Sequence, residues 1–354
     1  MNDRSRILAA VFLTVCLFLG VQLGALALVE PFQEADYQAV EDPQDPTNSL
    51  LYLLIILVAT GFMLAAFRYD AQWLIRGLII GVSVMLAWFV FGEVIPPVVS
   101  YAGVNLLAVV ASLAVGAGLL VYPEWYVIDL AGVLIGAGAA GLFGISFGLF
   151  PAILLLAALA VYDAISVYKT KHMLTLAGGV MDLRIPVVLV VPTTLSYTHL
   201  DPESTEGIVE ERTTSSAGDG SHRESAGAGD LEDEHTPGDR GHDADDLDEP
   251  SKEHGDRERD ALFIGLGDAV IPTILVASAA SFVDVPAIDV PMIALNLPAL
   301  GAMVGTIAGL LVLMYMVLQG RAHAGLPLLN GGAIGGYLLG ALASGIPLVA
   351  ALGL

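Results

Sequence analysis

One cysteine, Cys16, is the only thiol in a chain of 354 residues, and it lies in an apolar run. A lone cysteine forms no internal disulfide, so nothing here implies an oxidising compartment. Cations are scarce too: 14 Lys and Arg stand against 37 Asp and Glu, a formal net charge of -23. Phosphate backbones are bound by cations, so this balance argues against a nucleic-acid partner. Most of the acids fall in one polar tract between about 199 and 260. Acidic surfaces of this kind fit a salt-adapted, halophilic organism and say little about mechanism. A fixed set of metal ligands is missing as well. His222, His235, His242 and His254 are irregularly spaced among flexible residues, whereas a metal site needs a defined geometry. No metal site is therefore expected among them.

What the chain has in plenty is apolar sequence. It is 56% hydrophobic, above the roughly 45–50% of soluble domains even with glycine counted, so it is read as a membrane protein. A helix needs about 20 apolar residues to cross the hydrocarbon. On that template there are about nine spans: 6–29, 49–67, 73–95, 98–121, 126–147, 149–168, 261–283, 292–318 and 328–352. The fold expected is an all-α polytopic bundle. The first span follows Arg4 and Arg6, so a signal peptide competes with an anchor, and Ala25-Leu26-Ala27 resembles a cleavage site. The run Ile7 to Val29 is longer than the usual core of about 7–15 residues, which favours an uncleaved anchor.

The basic residues give an orientation. Arg4, Arg6, Arg68, Arg76, Lys169, Lys171, Arg184, the bases of the polar tract and Arg321 all fall in alternate loops. The opposite loops (Glu30 to Asn48, Glu93 to Pro97, around Ser146, and Asp284 to Pro291) hold no Lys or Arg. The positive-inside rule then places the amino terminus and the long insert in the cytoplasm and the carboxyl terminus outside the cell. Three regions result: helices one to six over 1–168, a cytoplasmic loop over 169–260, and helices seven to nine over 261–354. Within the loop, Pro186 to Pro192 is apolar, valine-rich and too short to span, which suggests a strand or an interfacial segment. From about 198 onward, large apolar residues almost vanish. That composition cannot bury enough surface to fold, so disorder is expected.

Two aspartates lie where the pattern least favours them, Asp163 in the sixth span and Asp268 in the seventh. A carboxylate at the centre of the hydrocarbon costs roughly 2.5–3.5 kcal/mol on insertion scales, so its presence needs a reason. Asp163 lies about five residues from the inner end of its span and Asp268 about seven from the inner start of its own, or ~8 and ~10 Å deep. The helices run antiparallel, so the carboxyls come to nearly one level and can meet if the helices touch. Two close carboxyls in low dielectric share one proton. The ionised one can act as general base on a water. The protonated one can polarise a carbonyl and assist an amine leaving group. Gly265 and Gly267 beside the second aspartate allow close approach of a helix or a substrate backbone.

Val161-Tyr162-Asp163 resembles the YD motif, and Gly265-Leu266-Gly267-Asp268 the GxGD motif, of the presenilin and signal peptide peptidase family of intramembrane aspartyl proteases. The resemblance covers nearly the whole chain. It implies a presenilin-like fold of nine transmembrane helices, Asp163 and Asp268 as catalytic residues, and Tyr162, Gly265, Leu266 and Gly267 as their motif neighbours. It also implies transmembrane protein segments as substrates within the lipid bilayer and a chemistry that needs no metal and no organic cofactor; prokaryotic relatives look self-sufficient, so no obligatory partner subunits are expected. The family's PAL motif opens the ninth span. Here that role is assigned to Pro327, Leu328 and Leu329, and the literal triplet Pro298-Ala299-Leu300 in the eighth span is read as a chance match. The amino-terminal orientation resembles a prokaryotic presenilin homologue. The family further suggests that the 186–192 segment holds unwound substrate by strand addition, against a plain reading as a surface linker.

Other polar residues have plainer readings. Asp129 and Glu93 near span ends reach the interface, and Asp284 and Asp289 are solvated. Tyr162 either packs or hydrogen-bonds near the site. Gly132, Gly136 and Gly144, and Gly331, Gly335, Gly336 and Gly340, let helices approach closely. The alternative function is a proton- or cation-coupled carrier using the same carboxylates. Transporters usually show an internal repeat, and none relates the first and last halves here. A non-enzymatic scaffold is the third reading.

Overall fold

A computed structural model describes residues 3–69, 71–101, 103–165, 188–192, 261–319 and 325–354. The described chain is helical almost throughout. In order come α1 (Asp3–Glu34), α2 (Thr47–Arg68), α3 (Gln72–Val94), α4 (Leu106–Val121), α5 (Trp125–Ser146) and α6 (Leu149–Ile165). After the insert come α7 (Leu266–Phe282), α8 (Leu297–Leu318), α9 (Gly325–Ala343) and the short α10 (Leu348–Ala351). Six helices are long and apolar enough to cross a membrane; α4, α6 and α7 are shorter apolar helices. Lys169, Lys171, Arg184, Arg321, the insert histidines and the tract expected to be disordered lie outside the described residues.

Of the span boundaries that differ from hydropathy, three have a clear local reason. The fourth begins at Leu106 rather than near 98. Ser100–Tyr101 (β1) and Val104–Asn105 (β2) form a hairpin there, turning at Gly103 with φ +82. Asn105 starts the helix, its side chain accepting from the Ala108 N–H at 3.4 Å and donating to the Ile95 carbonyl at 2.7 Å. The seventh begins at Leu266 because Ala261–Gly265 is a strand (β4), paired antiparallel with Val188–Pro192 (β3). A short apolar run fits strand and helix equally, and the pairing decides. The ninth stops at Ala343. Gly345 adopts φ +82, its N–H donates to the Leu342 carbonyl, and the Ile346 N–H reaches the Ala341 carbonyl, a Schellman ending.

Two packing relations position the site. The first is the pairing of α8 with α9. Gly301, Gly305 and Gly309 face the backbones of Gly336, Gly332 and Leu328, and a methyl group on any of the three would run into a carbonyl oxygen of the facing helix. Only backbone-to-backbone contact leaves so little room. Gly331 and Gly335, read from sequence as packing positions, face open space instead. The second is the central place of α5, packed between α1 and α7 and against β3. Gly144 meets Ala277 of α7, and Gly24 of α1 meets Ala137. A main core formed by α6, α7, α8 and α9 surrounds the fully buried Tyr337, whose hydroxyl donates to the Ala351 carbonyl at 2.6 Å and ties α10 back onto α9.

Candidate active site

Asp163 stands near the end of α6, buried at 4% exposure. Asp268 stands in the first turn of α7, half-buried. The expected seven-residue lead before Asp268 is absent, because β4 takes up its first part. The carboxylate instead lies close to the helix amino terminus, where the unpaired N–H groups and the helix dipole favour negative charge.

The two carboxyls converge on the start of α9. The Leu326 N–H donates to Asp163 Oδ2 at 3.2 Å. A Cβ on Gly325 would stand 3.6 Å from Asp268 Oδ2, and one on Gly265 would stand 3.5 Å from the same oxygen. Asp268 thus lies between two residues that have no side chains, within electrostatic range of Asp163. Leu266 fastens the motif to α5: its Cδ1 lies 3.2 Å from where a Cβ of Gly136 would be. Gly267 is exposed, and Tyr162 is 41% exposed on a different face of α6 from Asp163.

The residues assigned the PAL role open α9. Pro327 and Leu328 are half-buried, while Leu329 is fully buried in the core of α1, β3, α7 and α8. The next residue, Asn330, is fully buried, and its Nδ2 donates to the Leu156 carbonyl of α6 at 2.9 Å. Pro298, Ala299 and Leu300 lie at the far end of α9's partner, beside Gly340. That is fifteen residues along α9 from Gly325, or ~22 Å. They form the first turn of α8, where Asn296 accepts the Ala299 N–H at 2.9 Å.

Several contributors escaped the sequence reading. The Leu326 N–H is a backbone group and gives no compositional signal. Asn330 had one, as a lone amide in an apolar run. Asp129 had the strongest and was assigned to the interface. It is buried at 4% exposure, and its Oδ1 accepts the Val190 N–H of β3 at 2.7 Å. That bond also fixes which backbone groups of the sheet face outward. The Val190 N–H points away from β4, so Val190 and Phe263 are a non-hydrogen-bonded pair of the antiparallel ladder. Pro192, with no N–H to give, shares the outward parity. On β4 the outward groups are then those of Ala261, Phe263 and Gly265, and among the described residues no further strand lies beside them. Among the described residues no cluster of three His, Cys, Asp or Glu could hold a metal ion.

The family described as signal-peptide peptidase, presenilin aspartyl protease matches residues 15–346. The chain belongs to that family. Two solved structures of a presenilin family intramembrane aspartate protease are similar to this protease. One, in the C222 space group, is 30% identical over 94% of this chain and 99% of its own, with a TM-score of 0.59. The other, in the P2 space group, is 30% identical over 93% and 96%, with a TM-score of 0.55. None of the curated proteins matches the chain. This presenilin-family protein is a polytopic helical membrane protein and an aspartic endopeptidase. Membership selects peptide hydrolysis over ion carriage.

Proposed function

We propose that Asp163 and Asp268 are the catalytic pair of a GxGD-type protease that hydrolyses peptide bonds within the transmembrane segments of other membrane proteins. The observation that carries the reading is the convergence of both carboxyls on Gly325 and Leu326. The pair shares one proton and works as a unit. Its ionised member takes a proton from water as the water attacks the scissile carbonyl. Its protonated member donates to the carbonyl oxygen and then to the leaving amine. Gly265, Gly267 and Gly325 leave room for a peptide backbone beside the dyad. Pro327 and Leu328 line the substrate side at the head of α9, and Leu329 anchors that turn from the core. Tyr162 has a lesser part, on the exposed side of α6.

A substrate helix must unwind before its carbonyls can be attacked. The unwound stretch adds as a strand to the outward side of β4, ending near Gly265 and three residues short of Asp268. Within the 186–192 segment, β3 has its outer side engaged by Asp129 at Val190. The shorter α4, α6 and α7 cross the bilayer with the six longer helices, nine in all. The amino terminus and the 169–260 loop are cytoplasmic, the carboxyl terminus is outside, and no partner subunit is needed.

The test is cleavage of a single-span substrate by protein purified in detergent, with and without a transition-state-mimicking aspartyl protease inhibitor. Asp163→Ala and Asp268→Ala each abolish cleavage while the fold survives. Equal cleavage by wild type and both variants removes the proposal.

A further inference from the structure

We infer that Asp129 is a positioning residue that sets which peptide bond of the substrate reaches the two aspartates. The inference rests on the strand-addition reading above and goes beyond it, because it assigns the register of that strand to a side chain on another helix.

Asp129 lies one turn into α5, on a helix long and apolar enough to span a membrane. Its Oδ1 has the Val190 N–H; its Oδ2 is buried and has no hydrogen-bond partner among the described residues. A carboxylate kept inside the protein with one bond is unfavourable, so it is retained for what that bond does. The donor is a backbone amide on the outward side of β3. An unpaired strand edge is free to slip in register or to take another strand. Here a fixed side chain holds it, so β3 cannot slide along its axis without losing the bond.

That constraint passes to Asp268 in two steps of backbone. The ladder fixes Val190 opposite Phe263 and Val188 opposite Gly265. Gly265 is the cap of α7, and Asp268 follows in its first turn. The same face of α5 carries Gly132 and Gly136, three and seven residues on, which is helical spacing. A Cβ on Gly132 would come to 3.0 Å from Leu189 Cδ2, and one on Gly136 to 3.2 Å from Leu266 Cδ1 and Val270 Cγ2. The carboxylate and the two glycines form a ledge on which the sheet and the GxGD turn are seated together. A substrate strand lying on β4 is measured out from that ledge, and the distance between β4 and the dyad decides the bond that is cut.

The experiment is mass spectrometry of the products of a single-span substrate, with kcat and KM, for the full-length protein in detergent. In Asp129→Ala the cut sites spread or move by one or more residues, and kcat/KM falls by about tenfold or more, the size expected for losing a charge-assisted bond. Asp129→Asn keeps an acceptor oxygen for Val190 and restores the wild-type cut site. Val190→Pro removes the donor without taking a bond from the β3–β4 ladder and gives the same spread as Asp129→Ala, which carries the test should Asp129→Ala not purify folded. An unchanged cut-site distribution in Asp129→Ala or Val190→Pro overturns the inference. Asp268→Ala is run alongside. If it still cleaves, the dyad reading has failed; if it is inactive while the Asp129 and Val190 variants cut as wild type, only the inference has failed.

Discussion

The Leu326 N–H donates to Oδ2 of Asp163 at 3.2 Å, joining residues 163 positions apart in sequence. One backbone group at the head of α9 is thereby fixed to one carboxyl of the pair, while its neighbour Gly325 adjoins the other. The position of α9 is coupled to the placement of the two carboxyls, and this coupling can be tested without touching an aspartate.

Leu326→Pro removes the N–H together with a leucine side chain packed on the main core, and the helix itself tolerates it, because amides of the first turn have no intrahelical partner. Hydrogen bonds to charged groups contribute about 1.5–3 kcal/mol, so kcat/KM falls about ten- to a hundredfold with the melting temperature little changed. Leu326→Ala keeps the amide and stays within a few-fold of wild type. Equal losses in both variants would assign the effect to the side chain.

Asn330→Ala loses the bond from Nδ2 to the Leu156 carbonyl, the second polar tie between α9 and α6. Both partners are buried, and the variant is destabilised by about 1–3 kcal/mol. Thermal unfolding in detergent reads this as a lowered Tm, and activity falls at temperatures below that Tm because the head of α9 is no longer held.

Gly305→Val drives a branched side chain into the Gly332 carbonyl. Overpacking a tight contact costs about 1–3 kcal/mol or more. The contact here is with backbone, which cannot move aside as a side chain does, so folded yield drops sharply. Gly335→Ala, one face round the same pair and facing open space, leaves yield and Tm unchanged or slightly raised, as expected for alanine replacing glycine in a helix.

Gln22→Leu tests a different kind of position. Gln22 is fully buried on α1, and neither polar atom of its amide has a partner among the described residues. Exchanging it for an apolar side chain of similar volume relieves about 1–3 kcal/mol of unpaired polarity. Tm rises, and a fall would mean that the amide is held by water.

The sequence disclosed the parts of this site that are chemically out of place. Asp163 and Asp268 stood out because carboxylates are rare in apolar runs, and the small residues around Asp268 marked a close approach. Asp129 carried the same signal and was discounted for its nearness to a span end, although it sits at the same end of the bundle as the other two. Hydropathy misplaces boundaries where local chemistry outranks it. Asn105 and Gly345 are ordinary start and stop residues, and both were legible. The strand at 261–265 was not, since an apolar pentapeptide becomes a strand only when a partner arrives, and its partner lies on the other side of the long insert. The facing of Gly305 on Gly332 was equally hidden, because it depends on how two helices are set against each other, a relation that neither helix carries alone.

With their main chains interlocked, α8 and α9 have no freedom to shear past one another, and they move as a single plank. The plank is fastened at both ends, to α7 through Asn296 and the Ala279 carbonyl and to α6 through the two bonds of Leu326 and Asn330, so the acids are held by the same rigid body whose far end carries Gly340.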